Sequence, residues 1–288
     1  LSIYERPSAD FNPFAEVRNR LNIMVGHLEP LRRKVVEVPL EAMIDKEPVT
    51  VVCSQMGWIR AMTGHIDLTR EMKFKDGDSP RFIFHAETTD KLLVFGTNGR
   101  FYTVVAANLP GGRGMGEPLR LMVDLPNEAD IVDILVHQPG MRLIVASDEG
   151  NGFIVPENDI IAQTRTGKQV LNVGDGVAKA CIRMNGDHVA VVSENAKLLV
   201  FATDELPEMG RGKGVRLQKY KKAAGRQGTL EIDGGLCDLT TFQWAGGLSW
   251  QMGGGKTRTE PDMAEWKGAR GGVGKRPPHG FPKNNKFS

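Results

Sequence analysis

The sequence predicts an all-β protein in which about five similar units pack side by side. Hairpin-like runs recur along the 288 residues, and their central turn positions, 57, 99, 150, 196 and 247, are 42, 51, 46 and 51 residues apart. A repeat of this period, with about four short strands in each copy, is typical of propeller blades. The 34 glycines and 16 prolines are the turn formers that so many short strands need.

Each predicted hairpin has β-branched or aromatic residues on both sides of its turn. In the second hairpin, Asn98 and Gly99 accept the positive φ angles of a tight turn. The five hairpins are residues 49–60, 92–104, 143–155, 189–201 and, with a weaker pattern, 239–250, and apolar runs at 81–86, 131–136 and 178–184 supply further strands. The corresponding blades are approximately 48–80, 81–130, 131–177, 178–236 and 237–285, within a domain that spans residues 48–288.

Residues 1–47 lie outside the repeat and carry a helical pattern instead. Asn12 and Pro13 are typical of a helix start, and apolar residues follow at roughly helical spacing until Pro30. We therefore expect one short amphipathic helix in this N-terminal segment. The chain begins with Leu rather than Met, so we also expect it to be part of a larger protein.

Residue types that usually carry catalysis or bind metals are scattered in this sequence. Cys53, Cys181 and Cys237 are isolated, which indicates neither a disulfide framework nor a zinc site. The run 253–257 ends like a phosphate-binding P-loop, but Trp250 stands where that motif requires a glycine. We expect no catalytic residue, no metal and no small-molecule substrate in this chain. No apolar run of 18 residues and no secretory signal occur, so no membrane partner is expected.

The charge of the chain is unevenly distributed. Residues 205–288 hold 15 basic and 8 acidic residues, a net charge of +7, whereas residues 1–204 hold 22 and 27, a net charge of −5. Such asymmetry indicates a polyanionic partner, although a solvated basic tail has the same composition. The basic residues recur among glycines in two similar runs, 109–116 and 206–214, each of which opens with Leu-Pro.

Glycine-rich loops that carry arginine are well suited to bind phosphates. Glycine lets the backbone approach a phosphate closely, and arginine adds a permanent charge with two parallel donors. Phosphate contacts carry no base identity, so the loops predict sequence-independent binding of double-stranded DNA. The candidate phosphate contacts are Arg60, Arg113, Arg165, Lys168, Arg211, Lys213, Arg216, Arg270, Lys275 and Arg276.

Four runs of the sequence resemble the C-terminal domains of the family formed by the A subunits of DNA gyrase and DNA topoisomerase IV. The run 47–65, Glu-Pro-Val-Thr-Val-Val-Cys-Ser-Gln-Met-Gly-Trp-Ile-Arg-Ala-Met-Thr-Gly-His, is similar to the opening blade of the topoisomerase IV members. Residues 109–119, 146–153 and 204–214 resemble the later signatures, and the likeness covers about residues 40–285. Gyrase A members carry a Gln-Arg-Arg-Gly-Gly-Lys-Gly box in the first blade, and the corresponding residues 64–77 lack it.

The resemblance implies a β-pinwheel, a propeller-like disc of about five blades that exchange strands, preceded here by the short helical segment. It implies a non-catalytic, DNA-binding part of a bacterial type II topoisomerase that relaxes and unlinks DNA with ATP in the cytoplasm, at the nucleoid. The expected partners are double-stranded DNA, the catalytic core of the same polypeptide, and the ATPase B subunit of topoisomerase IV. ATP and Mg are expected on other parts of that holoenzyme, with no cofactor in this chain. The breakage–reunion core is missing, and Tyr4, Tyr102 and Tyr220 match nothing catalytic.

Other functions stay open at this stage. A protein-interaction propeller would use the same outer edge for a partner chain, and a gyrase A C-terminal domain would use it to wrap DNA. A propeller hydrolase would need carboxylates or histidines that converge at one mouth of the disc.

Overall fold

The computed structural model describes residues 45–224 and 230–288, without the side chains of residues 221–224 and 230–233. The helix expected in the N-terminal segment therefore lies outside the described residues. The chain divides between Ile44 and Asp45, and the fold that follows is that of residues 45–288.

The described residues form five repeated β-hairpins, and the first four turn where the spacing predicts. In the first four hairpins both strands are apolar over most of their length, and β-branched residues are frequent in the first strands of the first and fourth. We number strands in chain order. The hairpins are β1 (Pro48–Ser54) with β2 (Trp58–Thr63), β4 (Lys91–Gly96) with β5 (Arg100–Val105), β8 (Arg142–Ser147) with β9 (Asn151–Pro156), β12 (His188–Ser193) with β13 (Leu198–Ala202), and β18 (Leu248–Met252) with β19 (Lys256–Glu260).

A third strand lies on the far side of the first strand in each of the first four units. It follows its hairpin in sequence after a long connection and pairs antiparallel with the hairpin's first strand. The third strands of successive units contact one another, so this edge of each sheet faces the inside of the molecule. They are β3 (Pro80–Glu87), β7 (Ile131–Val136), β11 (Ala178–Arg183) and β17 (Leu236–Phe242).

This pairing corrects the blade boundaries expected from the sequence. Boundaries at residues 81, 131 and 178 place β3, β7 and β11 with the hairpin that follows, whereas the structure pairs each with the hairpin that precedes it. The reason is that the chain returns to the first strand of the hairpin it has just left: directly in the first unit, and after an excursion to the preceding unit in the later ones. Sequence order alone does not reveal that return.

The excursions exchange short strands between units. After each hairpin from the second onward, the chain crosses to the preceding unit and lies along the second strand of that unit's hairpin. We call these stretches the crossing segments: residues 106–130, 157–177, 203–220 and 261–276. Their paired residues are β6 (Glu117–Pro118) on β2, β10 (Lys168–Gln169) on β5, β14 (Val215–Arg216) on β9, and Lys267 and Lys275 on β13.

The remaining described elements are short. A hairpin of β15 (Lys221–Ala224) and β16 (Leu230–Asp233) interrupts the connection to β17. The helices of the described residues are single 3₁₀ turns of three or four residues, none of them long or apolar enough to cross a membrane. They are Ala106–Asn108, Leu119–Leu121, Glu157–Ile160, Thr203–Glu205 and Trp244–Gly246.

The hydrophobic core is divided among four buried clusters, and each cluster lies between two consecutive units. Strand β8 shows how the sequence achieves this. Successive side chains of a strand point to opposite faces, so Leu143 and Val145 pack towards the second unit while Ile144 and Ala146 pack towards the fourth. A strand covered on both faces is apolar throughout, which explains why the hairpins lack strict polar alternation. A single unit cannot bury its own faces.

The fifth unit differs from its expected position. The sequence places its turn at residue 247, but Gly247 ends the 3₁₀ turn after β17, and the hairpin turn is formed by residues 253–255. The P-loop-like run is therefore a hairpin turn. Residues near the C-terminus complete this unit: the Trp250 ring lies 5.3 Å from that of Phe281, and the amide of Gln251 donates to the carbonyl of Phe287 at 2.8 Å.

Replacing Gly116 with Ala tests the packing of a crossing segment. Gly116 has a φ of +85°, and a Cβ there would lie 2.3 Å from the carbonyl oxygen of Ile59. We expect a loss of about 1–3 kcal/mol in unfolding free energy, seen as a lower midpoint in thermal unfolding. Gly111→Ala in the same segment is the control, because a Cβ there has no atom within 4 Å. Equal effects of the two changes would contradict this account.

Trp250→Ala tests what holds the fifth unit. Its side chain is 1% exposed and packs against the fourth unit and the C-terminal residues. We expect the free energy of unfolding of this unit to fall by about 3–5 kcal/mol, measured as faster hydrogen exchange of the β18 and β19 amides. Met252→Ala on the same hairpin removes an exposed side chain and is expected to change exchange little. Unchanged protection in Trp250→Ala would show that the unit is held by other contacts.

A carboxyl group sits at the inner edge between the second and third units. Burial raises the pKa of Asp133 to about 6, while the Ile134 amide, which donates to it at 2.8 Å, and the charges of Arg183 and Arg81 lower it only in part. Both arginines are engaged elsewhere, Arg183 with the buried Glu157 at 2.7 Å and Arg81 with Asp130 at 3.1 Å.

The raised pKa of Asp133 predicts a pH-dependent stability. A carboxyl whose pKa is higher in the folded state stabilises the fold fully below about pH 4, and that contribution is lost as the pH rises through about 6. Asp133→Asn is therefore expected to raise the unfolding free energy by about 1–3 kcal/mol at pH 8 and by little at pH 4. Denaturant unfolding across this range is the measurement, with the exposed Asp76→Asn as control. An increase in unfolding free energy that is the same at pH 4 and pH 8 would contradict a raised pKa for Asp133.

Candidate nucleic-acid interface

The crossing segments share one edge of the fold. In the first three sheets the exchanged strand and the third strand lie on opposite sides of the hairpin, and Lys267 and Lys275 occupy the corresponding side of the fourth. Since the third strands contact one another inside, the crossing segments lie outside. We call this outer side the loop edge. The glycine loops of the sequence, 109–116 and 206–214, both belong to it.

A glycine without room for a side chain anchors each crossing segment. It has positive φ, between +70° and +85°, and lies directly against a carbonyl of the second strand, where a Cβ would fall within 2.3–2.7 Å of the oxygen. Only glycine combines this backbone conformation with so close an approach. The pairs are Gly116 with Ile59, Gly167 with Phe101, Gly214 with Gly152, and Gly274 with Leu198.

Consecutive crossing segments are hydrogen-bonded to one another. The amide of Asp124 donates to the carbonyl of Arg165 at 2.9 Å, which joins the first segment to the second. The amide of Asn172 donates to Gly212 at 2.8 Å, and that of Lys219 to Gly272 at 3.0 Å, which joins the later pairs. In each case the acceptor lies two residues before the anchoring glycine. The loop edge is thus one hydrogen-bonded band through all four crossing segments.

Nine of the ten predicted phosphate contacts lie in the crossing segments and are brought to this band. Four of them expose their side chains without an ion pair or side-chain hydrogen bond to another described residue. Because nothing competes for these charges within the described part of the chain, they are open to an anionic partner. They are Arg113, Arg211, Lys275 and Arg276.

Four other predicted contacts are exposed but have a partner in the protein. Arg165 lies 3.7 Å from Asp124, and Lys213 lies 3.2 Å from Glu149. Lys168 donates to the carbonyl of Asp159, and Arg216 to that of Glu149 at 3.0 Å. Exposed ion pairs such as those of Arg165 and Lys213 contribute only about 0–1 kcal/mol, so an incoming phosphate can replace the carboxylate.

Two predicted contacts serve the protein's own backbone. Arg270 is half-buried and donates to the carbonyls of Glu205 at 3.0 Å and Arg216 at 2.7 Å. Arg60 is 5% exposed and donates to the carbonyls of Gly114 and Lys73, both at 2.8 Å, and its burial lowers the pKa of its guanidinium. A direct phosphate contact through Arg60 does not fit this burial.

Arg100 also supports the loop edge, although the sequence analysis did not single it out. Its guanidinium donates to the carbonyls of Thr166 at 2.9 Å and Gly167 at 3.2 Å, so it holds the second crossing segment on β5. The partners lie 66 and 67 residues away in sequence. No local pattern links them, and only the strand exchange brings them together.

Within the described residues, no group of three or more histidine, cysteine, aspartate or glutamate side chains is placed to hold a metal ion. Burial raises the pKa of Cys53 to about 12 and that of Cys181 well above its usual value, so neither thiol is a reactive thiolate at neutral pH.

Comparison with known proteins agrees with this arrangement. A family model described as DNA gyrase C-terminal domain, beta-propeller, matches residues 90–138, 142–179 and 187–224, which are the second to fourth units. The A subunit of DNA topoisomerase 4 from Rickettsia bellii is 46% identical over 252 residues, 87% of this chain and 32% of the relative. The Caulobacter vibrioides protein of that name is 44% identical with the same coverage.

The chain belongs to the family of C-terminal domains from the A subunits of gyrase and topoisomerase IV. It spans about a third of the length of these curated relatives. The E. coli ParC C-terminal domain matches with a TM-score of 0.69 and 27% identity, over 82% of this chain and 96% of that one. The DNA gyrase A C-terminal domain shares the fold, with a TM-score of 0.56 and 15% identity over 80% and 76%. The β-pinwheel expected from the sequence is confirmed.

Proposed function

We propose that this chain binds double-stranded DNA along the loop edge, independently of base sequence. The observation that carries the proposal is the hydrogen-bonded band of crossing segments, which gathers basic residues from four separate parts of the sequence on one side of the fold. Scattered over several faces, the same charges would give no continuous path for a polyanion.

The chemistry of the loop edge suits phosphates better than bases. Arginine and lysine side chains on glycine-rich backbone supply charge and donors, but they project from loops that are themselves bonded to the sheets. The longest helix among the described residues is a single turn of four residues, too short to read a major groove. Binding is therefore governed by the phosphate backbone and weakens steeply with salt.

The predicted contacts grow denser towards the C-terminus. The first crossing segment contributes Arg113, the second contributes two residues, and the third and fourth contribute three each. This follows the sign asymmetry of the sequence, in which residues 205–288 carry the positive charge. We infer that the duplex is held most tightly by the third and fourth units and that the first units guide it along the edge.

We propose further that the chain works as part of the A subunit of a topoisomerase IV, because the relatives with 44–46% identity carry that name and are about three times as long. In that setting the loop edge presents a DNA segment to the catalytic core, which relaxes and unlinks DNA together with the ATPase B subunit, at the nucleoid. ATP and Mg belong to those other parts. The catalytic step is not carried by this chain.

The double change Arg113→Ala and Arg211→Ala is expected to weaken binding to two unrelated duplex sequences equally. Removing two phosphate contacts makes the negative slope of log affinity against log salt less steep by about 1.8. The factor by which affinity falls between 50 and 200 mM salt is then about tenfold smaller than for the unchanged chain. Fluorescence anisotropy titrations of the 288-residue chain at several salt concentrations measure both effects.

Lys179→Ala is the matched control, because it removes an exposed positive charge from the third strand β11, on the opposite side of the sheet. It should leave the salt slope unchanged. No duplex binding by the unchanged chain would favour the protein-interaction alternative. A slope unaffected by the double change would remove Arg113 and Arg211 from the interface.

A further inference from the structure

The first unit departs from the pattern that joins its neighbours. Its hairpin is followed by residues 64–79, which we call the leading segment, and no earlier unit of the described chain precedes it. Between later segments, a backbone amide donates to the carbonyl two residues before the anchoring glycine. At the first junction the same carbonyl, that of Gly114, accepts its hydrogen bond from the side chain of Arg60.

Arg60 reaches both sides of this junction. One guanidinium nitrogen, Nη1, donates to Gly114 in the first crossing segment, and the other, Nη2, donates to Lys73 in the leading segment, each at 2.8 Å. Its guanidinium also lies 5.5 Å from the ring centre of Phe74. The leading segment is thereby held against β2, where the Lys75 ammonium lies 3.2 Å from the ring centre of Trp58.

The packing at this position does not itself require an arginine. The residue that follows the glycine-contacting carbonyl is Arg60 in the first unit, and Tyr102, Phe153 and Leu199 in the next three. All four are buried, with at most 5% of the residue exposed. Three apolar or aromatic residues fill the position under a crossing segment, so the arginine is explained by the two carbonyls that it binds.

We propose that Arg60 is a positioning residue that bonds the leading segment to the first crossing segment and so continues the loop edge to residue 73. It holds Gly114, next to Arg113, and places the exposed Lys73 beside that loop. Arg60 acts through these neighbours and does not touch DNA. The coupling of the two segments stands by itself, and its effect on DNA rests on the function proposed above.

Arg60→Leu in the 288-residue chain tests the coupling, because leucine occupies the same position in the fourth unit. Loss of two charge-assisted hydrogen bonds is expected to speed hydrogen exchange about tenfold or more at residues 70–78 and 112–116, with the third to fifth units unchanged. Unchanged exchange in both segments would overturn the proposal, whether or not the chain binds DNA.

The salt dependence of DNA binding separates positioning from contact. Arg60→Leu is expected to lower duplex affinity by the same factor at every salt concentration, so the slope of log affinity against log salt stays that of the unchanged chain. Arg113→Ala removes a phosphate contact and makes that slope less steep by about 0.9. A less steep salt dependence in Arg60→Leu would show that Arg60 is itself a phosphate contact and would overturn the proposal.

Arg60→Lys covers the case in which Arg60→Leu unfolds the chain. Lysine keeps the charge but replaces the two-pronged guanidinium by a single ammonium, so we expect faster exchange in the leading and first crossing segments alone. Exchange as slow as in the unchanged chain would show that bridging both carbonyls is not needed, and would also overturn the proposal.

Discussion

The close approach of a glycine to a strand carbonyl is the contact on which the architecture depends. Each crossing segment lies on the preceding unit only because Gly116, Gly167, Gly214 or Gly274 leaves no side chain between the two backbones. Everything that follows from strand exchange, including the outer position of the loops and the bonds between them, requires that approach. The repeat is therefore defined as much by the missing side chain as by the apolar strands.

That contact also determines where charge can be placed. A segment fixed to the sheet by its glycine exposes residues within three positions of that glycine, and in this chain those positions include Arg113, Lys168, Arg211, Lys213 and Lys275. Two arginines have a different task in the same place. Arg60, which is buried, and Arg100, which is half-buried, donate to loop carbonyls and so hold the crossing segments rather than offering their charge to a partner.

The sequence predicted the hairpins well because their information is local. Apolar strands on both sides of a turn residue with positive φ, such as Gly99 or Gly150, need no distant partner to be recognised. The fifth hairpin was misplaced because Gly247 and the run 253–255 both have the composition of a turn. Strand exchange could not be predicted from the repeat itself, because the partners are distant in sequence. Strands β3 and β6 both bond to the first hairpin, and β6 does so after the whole second hairpin has intervened. The role of Arg60 could not be predicted for the same reason, because the carbonyl of Gly114 to which it donates lies 54 residues away in the sequence.

The four buried clusters have a consequence for how the protein loses its structure. An inner unit contributes to two clusters, but the first and fifth units of the described chain each contribute to one. In an array coupled only between neighbours, stability adds up along the row, and the members with a single neighbour are the first to fray. Unfolding should then begin in the first and fifth units and proceed towards the third, whose strands β8 and β9 stay ordered longest.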